Sequence, residues 1–156
     1  LCIGKKDVDY LKKISSSNPR DRARFCAHSS IDDEVHEMVI YHKEGAYIRP
    51  HKHIGKTESF HLIDGETDVV FFDEKGKIER ALSLGVYKSG KSFYYRIPES
   101  VYHSQIFRKN TLFHEVTKGP FEKNDSVFPS WAPAEDKHSL VNEYMKKLNL
   151  QIQTLL

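Results

Sequence analysis

The sequence predicts an all-β fold, a sandwich or barrel of short strands, with one short helix before it and another after. Three observations carry that expectation. Between about residues 35 and 116, short runs rich in Val, Ile, Phe and Tyr follow one another closely. Glycines and turn dipeptides separate them, a rhythm typical of sandwiches and barrels. Helical periodicity is confined to the two ends of the chain.

Taken in order, Val8, Leu11 and Ile14 recur at helical spacing and are followed by Ser-Ser-Ser-Asn-Pro, a stop signal. A short amphipathic helix is expected there, outside the main core. Residues 16–34 read as a basic linker carrying Arg20, Arg22 and Arg24. Strands are expected at 36–42, 47–51, 58–63, 68–72, 78–84, 92–97, 103–108 and 111–116. Asp73-Glu74-Lys75-Gly76 suits a hairpin turn in which glycine takes positive φ, and Arg108-Lys109-Asn110 suits another. An irregular stretch runs from Gly119-Pro120 through Trp131-Ala132-Pro133. Beyond it, residues 137–150 are helical, with Leu140, Tyr144, Met145 and Leu148 on one stripe. The expected organisation is one domain in three parts: 1–34 helix and linker, 35–120 barrel, 121–156 loop and helix packed on it.

Composition narrows the function classes. The 156 residues suit one domain with a core of its own. A net charge of +2, from 24 basic against 22 acidic residues, gives no clustered basic face for nucleic acid. No stretch approaches the roughly 18 apolar residues of a membrane span. Cys2 and Cys26 are too few for a disulfide framework or a zinc ribbon, so reduced thiols and a cytoplasmic location are expected.

The chemistry sits between Gly45 and Gly65. His51 and His53 are two apart, so on an extended segment both rings leave the same face. Glu58 follows across Gly55, far enough for a turn into the next strand, where its carboxylate can join the two imidazoles. Parity puts Phe60 and Leu62 on the face of Glu58 and His61 on the other, which removes His61 from the ligand set. His103, just after the proline-marked turn at Pro98, is the best third imidazole; His28, His36, His42, His114 and His138 lack comparable context. Three imidazoles and one carboxylate suit one divalent transition metal, Fe, Mn, Ni, Zn or Cu, and disfavour Ca or Mg. Tyr47 and Arg49 share parity with His51, so both are expected to point into the barrel, Tyr47 as proton donor and Arg49 facing an anion such as Glu115.

The spacing Gly45, five residues, His51-x-His53, four residues, Glu58, six residues, Gly65 is similar to the first cupin motif at every position. The second motif is partly kept: Pro98 and His103 match, Ser100 stands for its glycine, Phe107 for its asparagine, and Gly90 is displaced by two. Further segments, Arg20 to His28, Tyr47 to His53, Glu115 to Phe121 and Trp131 to Glu135, make nearly the whole chain resemble the WbuC family of cupin-fold metalloproteins. Cys26 departs from that pattern, where an asparagine is expected. The resemblance implies a cupin double-stranded β-helix, a jelly-roll barrel with short N-terminal and C-terminal helices. It also implies an association with bacterial O-antigen and other lipopolysaccharide gene clusters.

On this reading the metal ligands are His51, His53, Glu58 and His103. Arg22, Arg24, His28, Glu115 and Trp131 are candidate substrate contacts, the arginines for an anion and Trp131 as a lid on the barrel mouth in preference to a platform for a sugar face. The expected function is a metal-dependent isomerase, epimerase or dioxygenase acting on a sugar or nucleotide-sugar-like molecule. The alternative is a non-catalytic saccharide-binding or sensing cupin. Exposed strand edges in small jelly rolls suggest a homodimer.

Overall fold

The computed structural model describes residues 1–156, the Lys123 side chain excepted. Two antiparallel sheets face one another. The larger has the order β1-β2-β9-β4-β7, formed by β1 (Arg22–Cys26), β2 (Val35–His42), β9 (Thr111–Lys118), β4 (Glu58–Asp64) and β7 (Tyr94–Ile97). The smaller has the order β6-β5-β8, formed by β6 (Ile78–Gly85), β5 (Glu66–Phe72) and β8 (Tyr102–Phe107). A two-stranded ribbon pairs β3 (Lys52–His53) with β10 (Ser126–Val127). These sheets form the expected jelly roll.

Alternation divides the apolar residues among three cores. Met38, Ile40, Phe60, Leu62, Val69 and Phe113 are among those filling the space between the sheets. On the outer face of β5 and β8, Val70, Phe72, Tyr102 and Ile106 pack under helix α2 (His138–Gln153), which contributes Leu148 and Ile152. On the outer face of the larger sheet, Tyr41 and Leu112 are covered by Leu11 of helix α1 (Lys5–Ser15).

Three expectations need correction. Arg22–Cys26, expected as linker, is a strand in register with β2, from Arg22 opposite His42 to Cys26 opposite Met38. Its Ala23 and Phe25 pack under α1, so Arg22, Arg24 and Cys26 lie on the face that continues the barrel interior. In α2, Leu140 is 56% exposed, and the buried stripe is Val141, Leu148 and Ile152. Tyr144, Met145 and Leu148 of the expected stripe do meet the sheet, and only Leu140 falls outside it.

The third correction concerns 47–51. Tyr47 bridges Ile106 and His51 bridges His103, so four residues on one side span three on the other. One extra residue, next to buried Pro50, makes a bulge that reverses which side faces inward. Ala46 and Ile48 therefore pack into the barrel core, Tyr47 and Arg49 point outward, and His51 points in again. The outward pair grips the chain before α2: the Tyr47 hydroxyl donates to Pro133 O at 2.9 Å, and Arg49 donates to Ala132 O at 3.2 Å and Pro129 O at 3.1 Å.

Candidate metal centre

The three histidines are fixed by hydrogen-bonded backbone. His51 N donates to His103 O at 3.0 Å and His103 N returns the bond to His51 O at 2.9 Å. Ser100 N donates to His53 O at 2.7 Å, tying the turn before β8 to the ribbon. Ser100 stands in the left-handed region at φ 63, the conformation its glycine counterpart in the motif would adopt without strain. Glu58, opposite Thr117 and Ile97, opens β4 from the larger sheet.

One ligand atom from each of His51, His53, Glu58 and His103 lies within 4.8 Å of the others, so this cluster could hold a metal ion. Its hydrogen bonds argue for that use. His51 Nδ1 lies 2.8 Å from Arg49 O and His103 Nδ1 lies 2.9 Å from Val101 O, and a carbonyl can only accept. Each Nδ1 therefore carries the proton, which leaves each Nε2 a lone pair pointing into the barrel. His53 Nδ1 contacts Ser126 Oγ at 3.1 Å. His53 Nε2 lies 3.0 Å from Glu58 Oε1 yet outside hydrogen-bonding geometry, and His103 Nε2 lies 3.2 Å from Glu58 Oε2. In the tautomer set by Val101, that last pair brings a lone pair against a carboxylate, an arrangement a shared cation relieves. Burial, with His103 next in weight, lowers His51 to about 4, so its imidazole is neutral and ready to ligate. For Glu58, burial pushes the carboxyl up, but the His103 and His53 contacts outweigh it and hold it below the usual range. The donor set of three nitrogens and one oxygen fits a divalent transition ion.

The cluster lines a chamber of about 130 Å³ shared with His42, Phe60, Gln105, Phe113 and Glu115. The chamber meets an outer cavity of about 330 Å³ at His53, Glu58 and Glu115, where Arg24 and His28 form part of the wall. Glu115 lies beside Phe60 and Met38 in the ladder and is partly accessible, facing the cavity. Burial, and after it the charge of Glu58, push its carboxyl well above the usual range, with Arg24 opposing. Tyr95, which receives a 2.7 Å bond from Gln105 Nε2, is buried nearby and raised by desolvation.

Of the residues singled out from sequence, Arg24, His28 and Glu115 thus border the way to the cluster. Arg22 lines a neighbouring cavity with Arg24, His42 and Glu115, and its guanidinium is 3.8 Å from Glu135. Trp131 does not face the chamber: it packs on Phe72 and Tyr102 outside the smaller sheet, and its Nε1 donates to Glu74 O at 3.2 Å. Tyr47 and Arg49 are outside as well, and Glu115 is not the partner of Arg49. His61 is exposed on the outer face. His42, set aside on context, belongs inside: it stacks on Phe107 at 4.4 Å, and its Nδ1 is buried without a partner. The signal was available, since Met38, Ile40 and His42 share parity.

A family model described as a domain of unknown function, DUF6016, matches residues 3–84. That match takes in His51, His53 and Glu58 but stops before His103. No curated protein matches the sequence. Among solved structures, oxalate decarboxylase of Bacillus subtilis superposes with TM-score 0.52 at 23% identity over 69% of this chain. The chain spans only 27% of that decarboxylase. Salicylate 1,2-dioxygenase of Pseudoaminobacter salicylatoxidans superposes with TM-score 0.61 at 10% identity, over 82% of this chain and 37% of its own. The capsular polysaccharide assembling protein CapF of Staphylococcus aureus gives TM-score 0.50 at 19% identity, over 63% of this chain and 27% of its own. At these identities the likeness establishes the fold, the double-stranded β-helix of the cupins. Among the described residues, no helix is long and apolar enough to cross a membrane.

Proposed function

From the premise that the chain belongs to the DUF6016 family and has the cupin fold, we propose that it is a metal-dependent enzyme acting on a small oxygen-rich molecule. The observation that carries this reading is the convergence of the His51, His53 and His103 nitrogens on the Glu58 carboxylate. A divalent ion bound there supplies a Lewis acid for a substrate oxygen. The chain's own residues do the rest. The chamber of about 130 Å³ admits only the reacting end of a substrate. Phe60 and Phe113 exclude bulk water from it. Glu115, whose carboxyl is pushed well above the usual range by desolvation and by the charge of Glu58, is the acid–base group in this reading, a role expected from sequence for Tyr47.

The motifs shared with WbuC-type cupins support a sugar or nucleotide-sugar substrate in bacterial surface-polysaccharide assembly, with isomerisation, epimerisation or dioxygenation as the reaction. We further read the protein as a homodimer. The outer face of β4 and β7 leaves Ile63, Phe93 and Tyr94 exposed, while α1 covers the other half of the same sheet. A monomer mass by light scattering at micromolar concentration would remove that part.

The test of the main reading is elemental analysis of protein purified without chelator, beside His51→Ala and Glu58→Ala. Near-stoichiometric transition metal in wild type and almost none in the variants is the expected result. Aerobic and anaerobic incubation of the loaded protein with sugars and nucleotide-sugars, followed by oxygen uptake and product mass, then separates the reactions. Saturable binding without chemical change would favour the sensing alternative.

A further inference from the structure

The outer cavity has walls of two kinds. Ile31, Met38 and Phe121 make an apolar side, and the His28 and His36 rings, stacked at 4.0 Å and 8°, add a flat one. Both rings are anchored, His28 Nδ1 3.1 Å from Glu37 O and His36 Nε2 3.1 Å from Ile31 O. The other kind is charged and mixed, with Arg24, Lys56 and Lys118 among Glu58, Glu115, Glu122 and Asp125. Arg24 is exposed on the inner face of β1 and makes no ion pair among the described residues. Arg20 and Arg22 reach Glu135 at 2.5 and 3.8 Å and Lys56 holds Asp125 at 2.6 Å, whereas Lys118 in the same lining is, like Arg24, without an ion pair among the described residues. Glu115 beneath Arg24 forms no ion pair with it either. An unmatched guanidinium beside flat apolar walls presents a planar fork to an oxyanion, with contact area for an adjoining ring.

Resting on the metal-enzyme reading above, we propose that this cavity selects a substrate bearing a carboxylate or phosphate next to a flat apolar group. Arg24 receives the oxyanion, the His28–His36 side receives the flat group, and the far end passes Glu115 to reach the four-ligand chamber. Arg24 is a binding residue here, and the walls around it set specificity.

The test is calorimetric titration of the full chain, with zinc and after chelation, using benzoate, phenyl phosphate and benzyl alcohol as probes. Either anion should bind at least about tenfold more tightly than the alcohol, the scale of one charge-assisted contact. Arg24→Gln should abolish that preference, Arg24→Lys should keep part of it, and Arg22→Gln should leave it intact. The stronger of the two anions assigns carboxylate or phosphate. Equal affinity for the alcohol, no binding of any probe at millimolar concentration, or an Arg24→Gln protein that still prefers anions would overturn the inference. Zinc content is read separately. A chain that holds no zinc but prefers the anions sinks the metal reading and keeps the anion site; the reverse result keeps the metal and discards the site.

Discussion

His42 offers a quantitative test of the barrel interior. It is 4% exposed, stacked on Phe107 and Phe113, with no partner for Nδ1. Burial, with a lesser contribution from Arg20, lowers its pKa from 6.5 to about 3. A base whose folded pKa lies below its unfolded value binds its proton preferentially when unfolded. Stability is therefore full above pH 6.5, falls as pH drops, and the loss is complete near pH 3. At pH 5 the unfolded imidazole is about 97% protonated and the folded one almost neutral, which corresponds to about 2 kcal/mol. His42→Phe keeps a ring between the two phenylalanines and removes the titration. Urea unfolding of chelated wild type and His42→Phe at pH 8 and pH 5 should show wild type losing about 2 kcal/mol more than the variant on acidification. Parallel pH profiles would refute the placement of His42 as an enclosed neutral imidazole. The comparison is needed because His51, lowered to about 4, adds a slope of the same sign to both proteins.

Other perturbations separate the roles of neighbouring groups. Glu58→Gln should lower metal content at least about tenfold by elemental analysis, since a neutral amide replaces the anionic ligand. Chelation of wild type should lower its melting temperature and leave that of Glu58→Gln unchanged, because only a site present in the folded state gains from the ion. Tyr47→Phe should lower stability in urea by about 1 kcal/mol through the lost bond to Pro133 while zinc stoichiometry stays at the wild-type value; zinc loss would restore Tyr47 to the site. Ser100→Gly should raise stability by up to about 1 kcal/mol in the same assay, since a left-handed residue with a Cβ costs about that much.

Most of the ligand set was legible because its geometry is local. His51, His53 and Glu58 lie on one short stretch of chain, where period-two parity aligns the two imidazoles and a turn at Gly55 brings Glu58 beside them. The same parity excluded His61 correctly. It failed at Tyr47 and Arg49, where one inserted residue beside Pro50 reverses the facing, and a bulge is visible only once the partner strand is known. Arg22–Cys26 was missed because only Ala23 and Phe25 mark its apolar face, too short an alternation to stand out among the arginines. Trp131 was misplaced for a related reason: a lone aromatic in an irregular segment has no period from which to read its direction. His42 shows the opposite failure, a residue whose parity pointed inward and whose lack of a neighbouring motif removed it from consideration.

The bulge at Pro50 makes one five-residue stretch answer to two sides of the wall. Its first half latches the segment leading into α2 from outside, and its last residue presents an imidazole within. An ion held by His51 would therefore bind to the same short stretch that latches that segment. The sole tryptophan rides on the latched segment, so its emission should report the arrival of the metal without ever touching it.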